Sequence, residues 1–170
     1  GSKYYAAHPV IPENKTVAAI NMDALNIWGP TRDITVTGYG NSELDDIVEE
    51  VAEQQDRYVR PDPEPEKGGY YRSDHFSFAR EGVPALAASF GVDHAEHGEE
   101  WMLDQINDWN AENYHKPSDE YQPEEWDLTG AIQDLQMYFH VGLKLANSDD
   151  FPNWREGTEF KAKRDEDMGF

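Results

Sequence analysis

The 170-residue chain contains no cysteine, so disulfides and thiolate metal sites are excluded, and any metal must be held by His, Asp and Glu. Basic residues are scarce. Fourteen Lys and Arg stand against 35 Asp and Glu, a formal net charge of −21. Such a field repels phosphate backbones and anionic lipid and attracts divalent cations, so neither nucleic acid nor membrane is expected as a partner. There is no run of about eighteen apolar residues and no apolar signal-peptide core at the start, so the chain as it stands is expected neither to span a membrane nor to carry an export signal. Internal repeats, a phosphate-cradling glycine loop and a Gly-x-Ser-x-Gly elbow are also missing, which argues against solenoids, P-loop nucleotide chemistry and the serine-hydrolase elbow.

What is present suffices for one domain. A hydrophobic content of 38%, with 12% aromatics, argues against disorder. Thr16–Asn21 reads as a strand buried on both faces, and Asp33–Thr37 as a second strand stopped by Gly38 and Gly40. Ser42 caps a helix whose apolar face is Leu44, Ile47, Val48, Val51 and Ala52 and whose acidic face is solvated. Pro61, Pro63 and Pro65 impose an extended loop up to Gly68-Gly69. A short helix over Phe76–Arg80 precedes an apolar strand over Val83–Phe90, which starts at a tolerated proline. Residues 91–113 lack a clean period and are expected as a loop with one helical turn, forming a rim or lid. The last helix begins at Pro123 with the stripe Leu128, Ala131, Ile132, Leu135, Phe139, Leu143 and Ala146. Residues 148–170 are expected as a surface tail that frays. Strands separated by helices predict an α/β, three-layer α/β/α sandwich with a mainly parallel or mixed sheet. With so few strands, that sheet has edges that need covering.

The stretch Asn113–Glu120 gathers an imidazole, a phenol and two carboxylates within eight residues. A loop rich in His, Pro and Asp also reads as ordinary surface. Asp23 ends the first strand, where open α/β sheets place ligands, although it serves equally well as a turn cap. His94, His97 and Glu96 form another candidate cluster, and His140 reads as a packing or surface residue.

Taken in order, these pieces resemble a known family. Asn21-Met22-Asp23 at a strand end is followed by Arg72-Ser73-Asp74-His75 before a helix, by Gly82-Val83-Pro84-Ala85 opening a strand, and by Tyr114-His115-x-Pro-x-Asp119 before a long helix. The set is similar to the zinc-dependent aminopeptidases, the co-catalytic di-zinc exopeptidases related to glutamate carboxypeptidase and glutaminyl cyclase. The resemblance implies a metallo-exopeptidase that removes N-terminal residues from a peptide substrate. It implies that Asp23 and His115 each ligate a zinc, Tyr114 donates to the oxyanion, Arg72 holds the substrate or intermediate, Asp119 orients His115, and Phe90 lines the side-chain pocket. The family's complete site holds two zinc ions. It also uses an earlier His, a bridging Asp and a Glu-Glu pair that have no match here, so residues 1–147 resemble the C-terminal portion of the catalytic domain, with a sheet incomplete on its N-terminal side. Partial zinc occupancy at most is expected, with little or no activity for these residues alone. The alternative is a catalytically incomplete fragment or interaction module that binds a missing N-terminal half or forms a homo-oligomer. By the same resemblance, the expected compartment is secreted or periplasmic.

Overall fold

A computed structural model describes residues 1–170. Four strands form one mixed sheet: β1 (Ala19–Asn21), β2 (Asp33–Thr37), β3 (Tyr58–Pro61) and β4 (Ala85–Phe90), in the order β1-β4-β2-β3. β1 runs parallel to β4 with Ala19 opposite Ala85, and β3 parallel to β2 with Asp33 opposite Tyr58. β4 is antiparallel to β2, with Ile34 opposite Phe90. The carboxyl ends of β1 and β4 therefore lie side by side, which brings the Asp23 loop and Phe90 to the same end of the sheet.

Six helices accompany the sheet: α1 (Ser2–Ala7), α2 (Leu44–Glu53), α3 (His75–Ala79), α4 (Gly98–Glu112), α5 (Thr129–Ala146) and α6 (Lys161–Met168). Because side chains alternate along a strand, β4 serves two cores. Leu86 and Ala88 join Ile34 and Val36 under α2 and α5, through Leu44, Val48, Val51, Met137 and Val141. On the other face, Ala85 packs with Ala79 of α3, Trp154 and Phe160. Helices on both faces of the sheet make the α/β sandwich expected from the sequence.

Several elements differ from expectation. β1 is a half-buried edge strand rather than an interior one, since β4 is its only neighbour. Tyr58–Pro61, lying between the expected helix and the proline-rich loop, pairs with β2 as β3. Residues 91–113 include the fifteen-residue helix α4 instead of a single turn. α5 starts at Thr129 and turns a different face inward: Ala131, Met137, Tyr138, Val141 and Leu145 are buried, whereas Ile132, Leu135, Phe139 and Leu143 are exposed. Asp134 sits on the buried face because Arg57 Nη2 meets its carboxylate at 2.8 Å. The segment 148–170 is built into the body: Trp154 donates its indole N–H to Gly82 O at 2.8 Å, and Arg164, 1% exposed, donates to Glu13 O and Thr16 O.

Candidate functional site

A cavity of about 520 Å³ opens at the sheet end described above. Asp23, Phe90, Tyr114, His115 and Asp119 all line it. The fold gathers them by three routes. Asp23 leaves the end of β1, and Phe90 closes β4. Tyr114, His115 and Asp119 sit on a loop tied to the end of α4, where Tyr114 N–H donates to Trp109 O, Lys116 N–H to Asn113 O and Asp119 N–H to Lys116 O. Within that loop the Tyr114 and His115 rings stack at 3.9 Å. Ser73 Oγ donates to Asp23 Oδ2 at 3.3 Å and accepts from Asn21 Nδ2 at 3.1 Å, which restrains the carboxylate from the sheet side. No hydrogen bond joins Asp119 to the His115 ring.

The rest of the wall is apolar. Leu25, Ile27 and Trp28 come from the loop after β1, Ile106 and Trp109 from α4, and Trp126 from the approach to α5. Trp28 meets Phe90 edge-on at 5.4 Å, and Trp109 meets Trp126 at 5.7 Å. His94 Nδ1 accepts from the N–H groups of Glu96 and His97, so Nε2 carries the proton and donates to Trp28 O at 2.9 Å. That imidazole braces the cavity wall and joins no metal cluster.

A smaller cavity of about 280 Å³ shares Asp23, Ala24 and Tyr114 with the first and adds Asn21, Ser73 and His75. Arg72 lines neither cavity; its Nη2 donates to Lys67 O at 2.6 Å.

The Trp and Ile wall is not legible in the sequence, because its residues come from three separate segments: the turn at Ile27 and Trp28, α4, and Trp126 before α5. Ser73 and His75 adjoin Arg72 in the motif, but nothing in the local sequence shows that one reaches Asp23 and the other enters a cavity.

Asp23 and His115 suit zinc in type. Yet no group of three or more His, Asp and Glu is placed to hold an ion, whereas a zinc centre takes about three or four protein ligands. The residues present therefore do not fit a complete zinc centre. A family model described as Peptidase family M28 matches residues 1–140. No curated protein and no solved structure matches the chain.

Proposed function

The chain belongs to peptidase family M28, a zinc-dependent metallopeptidase family, and on that premise we propose that it serves an aminopeptidase that releases bulky apolar N-terminal residues. The observation that carries this reading is the single cavity shared by Asp23, Tyr114 and His115 and walled by Trp28, Phe90, Trp109 and Trp126. A side chain buried among those rings fixes the first residue and brings its carbonyl toward the polar edge. There, Asp23 and His115 would be two of the donors to a zinc ion, which when bound in a complete site would polarise a carbonyl and activate water. The Tyr114 phenol donates a hydrogen bond to the carbonyl oxygen as it gains charge. Arg72 is left out of this reading, because its guanidinium is engaged by Lys67 O. Proteins of this family are often secreted or periplasmic, and the same compartment is proposed here; no helix is long and apolar enough to cross a membrane.

Zinc content measured on the purified chain tests the reading. Asp23→Ala and His115→Ala are each expected to weaken retention by about tenfold or more, and unchanged zinc in both variants would overturn it. With only two donors, turnover of amino-acid amides by these residues alone is expected to be negligible.

A second reading, as an interaction module, has its own support. β1 is a free sheet edge, and α5 approaches it where Gly142 faces Ile20, leaving Ile132, Leu135, Phe139 and Leu143 exposed. A polypeptide segment that adds a strand to β1 and lays apolar residues over α5 fits both features. A second copy would bring another −21 charges, so association between copies is expected to need salt that screens them. Sedimentation of the chain with and without Phe139→Glu tests for association through this face: association lost in the variant supports it, and association that survives places the contact elsewhere.

A further inference from the structure

His75, the first residue of α3, is 1% exposed, and neither of its ring nitrogens has a hydrogen-bond partner. Native folds rarely leave a buried imidazole so, because each unmet polar atom has lost its water without compensation. The ring is held in place. Tyr70 packs edge-on against it at 4.6 Å and 77°, and Tyr70 in turn lies so close to Gly38 that any Cβ there would overlap its ring. His75 lines the cavity of about 280 Å³ beside Asp23. That cavity is smaller than its neighbour and has fewer large apolar side chains: Asn21, Thr37, Ser73 and Ser89 line it together with Ala87 and Ala88, and no lysine or arginine does.

We propose that this cavity is a second substrate subsite, in which His75 hydrogen-bonds the hydroxyl or carboxamide of a small, uncharged polar side chain on the residue that follows the released one. The inference deepens the aminopeptidase reading and rests on it. The two cavities meet at Asp23, Ala24 and Tyr114, so a peptide whose first side chain enters the larger cavity carries its next residue across that junction into the smaller one, beside His75. Burial pulls the His75 pKa below its ordinary value against the weaker opposing effect of Asp74, leaving a neutral ring with one donor and one acceptor. Serine, threonine and asparagine side chains satisfy such a ring. Aspartate does not, because a neutral ring does not compensate its charge and no lysine or arginine lines the cavity.

The test is binding of dipeptide amides to the zinc-equilibrated chain, by calorimetry and by long-range 1H–15N spectra of the His75 ring. With leucine first, serine or asparagine in second place is expected to bind about fivefold more tightly than alanine, as for one neutral hydrogen bond, and aspartate most weakly. The His75 nitrogen signals move with the serine and asparagine peptides and stay fixed with the alanine one. His75→Phe, which keeps a planar ring, removes the serine preference and leaves alanine-peptide binding intact. Equal affinity for serine and alanine, or His75 signals unmoved by any peptide, would overturn the subsite and leave water as its occupant; the spectra decide this on the unmodified chain even where the variant does not fold. Discrimination at the first residue but not the second sinks this inference alone, whereas no peptide binding at all sinks the aminopeptidase reading with it.

Discussion

The imidazole of His115 stacks on the phenol of Tyr114 with ring centroids 3.9 Å apart and 20° between planes, while the His115 backbone sits at a φ of 58°. A left-handed residue reverses the chain locally, so consecutive side chains that would diverge in a strand lie against each other here. The proposed metal donor and the proposed oxyanion donor are thereby presented as one unit.

That backbone allows ligand loss to be separated from strain. His115→Asn and His115→Gly tolerate the left-handed region, whereas His115→Val adds about 1–2 kcal/mol of backbone strain. All three are expected to lower zinc retention, and only the valine variant to lose about 1 kcal/mol or more in urea unfolding. Equal stability of the valine and glycine variants would show that the loop does not hold this conformation in solution.

Asp45 predicts a pH dependence. It is 4% exposed, and burial pushes its pKa from 3.8 up to about 6, outweighing the hydrogen bond from Gly40 N–H. A carboxyl whose folded pKa is raised binds its proton more tightly in the folded state. Its stabilising contribution is therefore full below about pH 3.8 and is lost as pH rises through about 6. The shift amounts to about 2–3 kcal/mol. Asp45→Asn keeps an acceptor for Gly40 and is expected to be more stable than the wild type at pH 7, with a flatter profile between pH 4 and 6. Superimposable profiles from urea titrations would refute this.

Arg57 and Asp134 form an ion pair at 2.8 Å with side-chain exposures of 1% and 6%, but the two residues are not equivalent. Arg57 also donates to Asp33 O and Thr31 Oγ1, so it keeps partners if Asp134 is neutralised. Asp134 has no comparable reserve. Arg57→Met is expected to cost about 3–5 kcal/mol, more than Asp134→Asn, and the pair Arg57→Met with Asp134→Leu to recover part of the loss. Chemical denaturation of the three variants checks the ranking, and a costlier Asp134→Asn would reverse the assignment.

Gly130, near the start of α5, is pressed against the turn that precedes Thr31. A Cβ there would overlap Gly29 O and Asn26 Nδ2, and Asn26, fully buried, donates to that same Gly29 O at 2.6 Å. Gly130→Ala is expected to destabilise the fold by about 1–3 kcal/mol through overpacking. It also displaces Trp28 and so weakens the binding of peptides with a bulky first residue. Thermal unfolding and calorimetry read the two effects, and a variant as stable as the wild type would mean that the turn yields freely.

What was legible lies in short local strings. Asp23, Phe90, Tyr114, His115 and Asp119 are the residues to which the family resemblance gives roles, and the fold brings all five to one cavity. Arg72 was identified by the same means, but its side chain turned to a nearby carbonyl, a choice among acceptors that no motif records. Of the helices, α2 was read most directly, since it has one apolar face and one acidic face. α4 was hidden because its Trp and Ile residues sit among charges without a clean period, and only the fold shows Ile106 and Trp109 walling the cavity.

The sequence by itself determined the available chemistry: no thiol, a strongly acidic surface, and His and Asp as the only candidate ligands in the motifs. Tertiary structure decided which groups were buried and which were shared. α5 carries two apolar rows, and only the placement of α2 and the sheet chose Met137, Tyr138 and Val141 over Leu135 and Phe139. His75 is one more polar residue in the string, and only enclosure by Tyr70 beside a cavity leaves its nitrogens unpaired. The physical reason is common to both. Periodicity and residue type act over a turn or two of chain, whereas burial is set by whichever distant surface arrives to cover a side chain.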